Sequence, residues 1–562
     1  MLPAFVALVL HSWLAVSPLQ RPVRLRYDIR RNDDSLPGID IRLTLDATRD
    51  SIVAFQLPNE WAGRRELYRQ LEGLRVEGAH VSLEAGASPD RVIVHRRANT
   101  PVTLTWHLRG TATPQFTGDS QNHDEITARW AQLIGYDALV IPDMARERPV
   151  DATFTFGPDG PGVTSSRRVV ATSFGSAHGG TGSVRARVPL GELWHAMYLV
   201  GASDSAVRLY ESRVRGRSVS IAIRDSLSIP DSAFVRVVGR VVGMERNFWS
   251  DAGPAHYLVS IGAASQGTTA GTRLSNAFIA NMDRGLPLDS RVIELFSHEL
   301  MHDWIGGAIH SGPGVPENQL LWFTEGFTDF LNHRLLWRSG LISDSGYVAK
   351  VNALLQEHAL SAAGASPWKD VMAGYWTNYE DKREPYLRGE LLALRLSALS
   401  PPGSLAGVLR SLLTKSRHGF LLTDSSIVAV LAPLYGRQVA EREISAATGG
   451  GPIALPATLM GGCATSTKRD IPLFDPGFDI DSTVKTRTLT GVRPGGAAER
   501  AGLHNGMRVG AMSIYRGDAA KDISLQARVD TVMQRFVFRP VGDRHVEAQV
   551  FTLPPGCRLA MP

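Results

Sequence analysis

The chain has 562 residues, 43% of them hydrophobic and 20% charged, with a formal charge of +5. At roughly 150 residues per domain it is too long for one core, and these proportions exclude both a disordered chain and a polytopic membrane protein. Lys and Arg are scattered and form no basic stripe interleaved with aromatics, which excludes nucleic acid as a partner.

From the N-terminus, the apolar run Pro3 to Leu10, continued by His11 to Ser17, has the length of a signal-peptide core but is too short and interrupted to span a bilayer stably. Residues 1–18 therefore read as a leader, placing the protein in the periplasm or outside the cell, with no stable membrane span once the leader is removed. A buried first strand is the competing reading.

Residues 19–215 alternate in short runs such as Ile39 to Leu45 and Val102 to Leu108, separated by Gly, Pro, Asn and Asp clusters, which predicts an antiparallel β domain. Within it, Gln121-Asn122-His123-Asp124-Glu125 reads as a polar loop rather than a ligand set.

Near Pro230 the period changes. Phe234, Val235, Val237, Val238, Val241 and Val242 form one apolar stripe behind an Asp231 or Ser232 cap. Residues 216–450 then read as mostly helical, with one strand-like stretch at His256 to Ser260. Helices are expected at about 289–304, 320–338, 343–360 and 385–399, with several more after Pro402. Residues 451–469 read as a linker, and 470–562 as a terminal module flanked by the only two cysteines, Cys463 and Cys557. A disulfide and two buried thiols are the alternatives there.

The chemistry concentrates in His298-Glu299-Leu300-Met301-His302, set in a helical frame opened by Asp289 or Ser290. Four residues is slightly more than one turn, so the two imidazoles project from one face and reach one metal ion. A catalytic zinc takes three protein ligands and keeps a place open for water. Glu325, on a second predicted helix beyond a loop containing Gly312-Pro313-Gly314, supplies the third. Asp329 lies one turn further on the same face and is expected to accept from a liganding imidazole, most directly His298.

Such a site binds one Zn2+ ion and hydrolyses a peptide bond. Zinc lowers the pKa of water to about 7, and Glu299 is placed to take that water's proton and pass it to the departing amine. The oxyanion needs a further donor. Tyr386, at the first turn of a helix started by Pro385, fits that role; Tyr379 and His310 are the alternatives.

These residues resemble the glycyl aminopeptidase-like gluzincins, relatives of the aminopeptidase N and leukotriene A4 hydrolase group. The resemblance rests on His-Glu-x-x-His-x-Trp through Trp304, on Trp322-Phe323-Thr324-Glu325-Gly326-Phe327-Thr328, and on Tyr386-Leu387-Arg388-Gly389. It implies a multidomain α+β protein, with an N-terminal antiparallel β domain, a thermolysin-like, mostly helical catalytic domain and a C-terminal PDZ-like domain.

It also implies zinc on His298, His302 and Glu325, Glu299 as base, and Tyr386 as the transition-state tyrosine. Gly491 to Leu503 looks like the strand, small-residue turn and short helix of a PDZ domain. Pro476-Gly477-Phe478-Asp479-Ile480 would then be a loop receiving a peptide C-terminus.

Two features depart from the family. Gly267 to Asn276 stands where relatives carry a strand with an amine-binding Glu, and it has no carboxylate; its Arg273 would repel an ammonium group if it pointed inward. The stretch from His302 to Trp322 is also shorter than in relatives.

The leading expectation is an aminopeptidase acting on peptide or protein substrates with small N-terminal residues such as Gly or Ala. An endopeptidase acting on unfolded chains is the alternative. A catalytically weak, chaperone-like envelope protein whose PDZ-like groove binds peptide is the reading from another class.

Overall fold

The computed structural model describes residues 22–32, 37–78, 80–110, 120–157, 168–178, 182–264, 269–312, 315–516, 519 and 521–560. The expected leader, and Gly267, Thr268, Pro313 and Gly314, lie outside the described residues. Contacts divide the chain into residues 1–299 and 300–562, and the division falls inside a helix. Among the described residues no helix is long and apolar enough to cross a membrane.

The first unit opens with β-sheets in which alternation does the work predicted for it. In Val23–Asn32, Leu25, Tyr27 and Ile29 are buried, and register places Tyr27 opposite Leu43 and Ile29 opposite Ile41 of Gly38–Leu45. A six-stranded sheet results, antiparallel except where Val23–Ile29 runs parallel to Val150–Phe156. Tyr27 stacks on Phe154 at 5.1 Å, and its hydroxyl donates to the Val140 carbonyl at 2.9 Å, which satisfies the one polar atom that this pair buries.

A four-stranded and a five-stranded sheet accompany it, and a further five-stranded mixed sheet follows. Strands β1 (Val207–Val214) and β2 (Arg217–Arg224) form a hairpin; helix α1 (Asp231–Phe248) leads to β3 (His256–Ala264), then β4 (Thr269–Leu274) and β5 (Ala277–Asp283). The order is β1-β2-β3-β5-β4, with β2, β3 and β5 parallel and β4 antiparallel at one edge. The expected boundary at 215 falls in the hairpin turn, so Val207–Val214 shares a sheet with the region after it.

Sequence periodicity found only β3 here. Strands β3 and β5 are buried on both faces and read as near-continuous apolar runs rather than alternation, whereas β2 alternates Val219, Ile221 and Ile223 with Ser218, Ser220 and Ala222. Helix α1 lies where the stripe predicts and buries Phe234, Val238, Val241 and Val242, each contributing roughly 1.5–3 kcal/mol. Asp231 does not cap it: its carboxylate accepts from Arg208 at 3.0 Å and Tyr210 at 2.7 Å, tying the helix start to β1.

Helix α2 (Ser290–Met301) runs across the division. The second unit continues with the single turn Leu321–Thr324, then α3 (Gly326–Arg338), α4 (Asp344–Leu360) and α5 (Tyr379–Ala398), followed by three helices between Ser404 and Gly449.

The last part of the chain packs a small core of Phe478, Leu489, Leu503, Ile523 and Leu525. Around it lie β6 (Thr465–Phe474), the short helix α6 (Ile480–Thr486), a three-stranded sheet spanning Val509 to Phe538, and β7 (Val541–Thr552), which pairs antiparallel with β6. Strand β6 begins inside the stretch read as a linker. Cys463 and Cys557 form a disulfide with Cα atoms 5.8 Å apart.

In the Pro476 to Ile480 loop, Gly477 N–H donates to Asp475 Oδ1 and Asp479 N–H to the Thr490 carbonyl, and the chain then enters helix α6.

Candidate metal centre

Helix α2 is seated by its buried side. Phe296 lies 6.1 Å from Phe234 and 5.9 Å from Phe278, Ser297 donates to Glu245 at 2.6 Å, and Asp289 caps the helix by accepting from the Arg291 N–H at 3.0 Å. These contacts fix the rotation of the helix and therefore the face that carries His298. His302 follows directly, in a turn closed by Ile305 N–H on the Met301 carbonyl.

A carbonyl only accepts, so the His302 Nδ1–H donates to the Ile305 carbonyl at 3.1 Å, and its Nε2 is left facing Glu325 Oε2 at 3.4 Å. That carbonyl is an orienting group of the kind metal-binding histidines need, and no side-chain pattern could have announced it. Glu325 stands between the turn Leu321–Thr324 and α3.

One ligand atom from each of His298, His302 and Glu325 lies within 4.8 Å of the others. Small side-chain rotations close that separation around one cation with bonds of about 2.0–2.2 Å. Among the described residues, no other group of three His, Cys, Asp or Glu side chains meets in this way. Two imidazoles and one carboxylate suit zinc and leave a coordination place for water.

Glu299 is buried next to His298. Strand β4 passes directly against it: a Cβ at Gly271 would lie 2.5 Å from Glu299 Cγ, so the backbone approach requires glycine. The following residue, Thr272, hydrogen-bonds through its hydroxyl to the Asn122 side chain. Asn122 belongs to the stretch read as a polar loop, of which Gln121, His123 and Glu125 are buried. His123 meets Asp137 at 3.1 Å, and burial pushes the Glu125 carboxyl up to about 7 beside Arg224. Arg273 lies near His195, whose pKa burial and then this cation pull down to about 4.

Tyr386 is carried by α5, but not at its first turn. The helix starts at Tyr379, with the Asn378 side chain accepting from the Glu380 N–H at 2.9 Å, and Pro385 sits inside it. The helix formers on both sides of Pro385 carry the helix through the one missing donor. Burial, and then the negative charge of Glu325, hold the Tyr386 phenol well above its ordinary pKa, so it is a proton donor. Of the two alternatives, Tyr379 is exposed beneath Arg516, and His310 donates to the Gly307 carbonyl at 3.1 Å.

Two features escaped the sequence reading. A Cβ on Gly326 would lie 2.2 Å from Gly389 Cα, and one on Gly389 would lie 1.8 Å from the Trp322 carbonyl oxygen. The helices carrying Glu325 and Tyr386 therefore cross in backbone contact. The other is the pair of half-buried His333 and buried Glu390 at 2.8 Å. Asp329 acts electrostatically on Glu390, Tyr386 and Arg383.

Residues 291–391, which contain all six expected site residues, match the family described as M61 glycyl aminopeptidase. The match marks the chain as a peptidase through the stretch that carries the metal centre. The fold of this peptidase is shared by an aminopeptidase N family protein from Idiomarina loihiensis, with a TM-score of 0.69 over 94% of this chain and 98% of that one, at 16% identity.

An M1 zinc metallopeptidase from Deinococcus radiodurans superposes with a TM-score of 0.49 at 14% identity, over 78% of the peptidase and 97% of the other chain. Among curated proteins, none matches the peptidase in sequence.

Proposed function

We propose that this peptidase is a zinc aminopeptidase removing small residues such as Gly or Ala from peptide N-termini. Its single Zn2+ would be held by His298, His302 and Glu325, and the meeting of these three donors is the observation that carries the reading. When bound, zinc supplies Lewis-acid polarisation and lowers the pKa of water to about 7.

Glu299 takes the proton of the attacking water and delivers it to the departing amine. Tyr386, kept protonated by its surroundings, donates to the developing oxyanion. Asp329 orients a liganding imidazole from one turn beyond Glu325.

Amino-terminal cleavage is favoured by the similarity of residues 291–391 to the M61 glycyl aminopeptidases.

We read residues 19–215 as the N-terminal β domain, 216–450 as the thermolysin-like catalytic domain, 451–469 as the connection and 470–562 as a PDZ-like module, behind a leader of 1–18. The Cys463–Cys557 disulfide supports export to the periplasm or beyond, because such bonds persist in oxidising compartments.

The test compares wild type with Glu299→Gln for zinc content, for release of Gly and Ala from their anilides, and for cleavage of denatured casein. Turnover should fall by about 10²–10⁴-fold with zinc retained. Unchanged turnover would reject Glu299 as base, and a peptide library cut only at internal bonds would reject the aminopeptidase.

A further inference from the structure

Tyr379, Arg383 and Tyr386 occupy positions i, i+4 and i+7 of α5 and so share one face. The Arg383 guanidinium lies over the Tyr386 ring, 5.2 Å from its centroid, and is itself held by Glu357 of α4 through two parallel bonds of 2.7 and 3.1 Å. One turn earlier, the Arg516 guanidinium lies 5.5 Å from the centroid of the Tyr379 ring and also donates to Asp481 at the start of α6. Arg516 and Asp481 belong to the C-terminal module.

Cation, ring, cation and ring thus follow one another from that module to the tyrosine beside Glu325. A cavity of about 70 Å³ adjoins Glu357, Tyr379, Arg383 and Arg516. Beside this cavity the two Glu357 bonds and the Tyr386 ring hold the Arg383 guanidinium. The module is also anchored on α4, where the Asn352 side-chain amide exchanges two 2.8 Å bonds with the Phe551 backbone.

We propose that Tyr379 and Arg383 are positioning residues for Tyr386, and that Arg516 brings the C-terminal module into this stack, so that docking of the module sets where the oxyanion donor stands. The inference rests on the assignment of Tyr386 given above. It gives the module a role in catalysis that needs no bound peptide, exerted through its contact with α5.

The test uses the full-length, zinc-loaded chain. Arg516→Ala and Tyr379→Leu should each lower kcat about three- to tenfold, the size of one cation–ring contact, with KM and zinc content held. Tyr379→Phe, which keeps the ring, should restore the kcat lost in Tyr379→Leu. In a Tyr386→Phe background, Arg516→Ala should produce no further loss, because it acts through the phenol.

The same fold-loss from Arg516→Ala in both backgrounds, or no loss in the wild-type background, overturns the proposal. A Tyr386→Phe enzyme with wild-type kcat removes the tyrosine assignment itself, and this proposal with it.

Discussion

Gly389→Ala perturbs the centre through packing alone. The added methyl would sit 1.8 Å from the Trp322 carbonyl oxygen, about 1.6 Å short of the 3.4 Å at which ordinary contact begins, and that oxygen belongs to backbone that cannot rotate away. Helix α5 must back off by a comparable distance. Overpacking of this kind costs about 1–3 kcal/mol, and at about 2–4 °C per kcal/mol for a unit of this size the melting temperature should drop by about 2–12 °C.

The larger effect should be kinetic. Gly389 lies three residues beyond Tyr386, and Gly326 directly follows Glu325, so separating the helices separates the phenol from the carboxylate. A misplacement of about 1 Å costs about 100-fold in rate, so kcat for an alanine anilide should fall by about that factor, with KM changing far less. Calorimetry, initial rates and zinc content on the same preparation decide the matter. A variant with wild-type melting temperature and kcat within about twofold of wild type would refute the view that this crossing places the two groups.

Other perturbations act on separate parts of the site. Asp329→Ala should weaken zinc binding by about 10–100-fold in competition with a chelator; unchanged affinity would remove Asp329 from its orienting role. Gly271→Val should drive a side chain into Glu299 and abolish turnover while the metal content stays at wild type, whereas an active valine variant would show that β4 can move aside.

His195 should make the first unit acid-sensitive. Its folded pKa is about 4 against about 6.5 unfolded, so the unfolded chain gains the proton first. The contribution, on the order of 3 kcal/mol, is whole above pH about 6.5 and lost as pH falls toward about 4. Urea unfolding at several pH values should show this slope in wild type and a shallower one in His195→Phe; equal slopes would contradict the assignment.

The legible parts of the sequence were those in which one residue type at one period has a single physical use. Alternation marked Val23–Asn32 and Gly38–Leu45 because each has one wet face and one dry face. The i, i+4 imidazoles and a Glu on the next helical stretch marked the candidate centre because a small ion can be reached in few ways from a helix.

Strand β5 was hidden because burial on both faces erases alternation. The start of α5 was misplaced because proline is a good first residue of a helix, whereas Asn378 supplies the cap seven residues earlier. The Ile305 carbonyl and the Gly326–Gly389 contact carry no side-chain signature, so only coordinates reveal them.

The bond between Cys463 and Cys557, 94 residues apart in sequence, makes the terminal module a closed ring of chain. A protease that nicks the ring once therefore frees no fragment: both new ends stay tethered, and β7 keeps its hold on Asn352. A cut inside the ring releases a piece only if the disulfide is reduced as well, so a single cut can free the module only where it falls before Cys463.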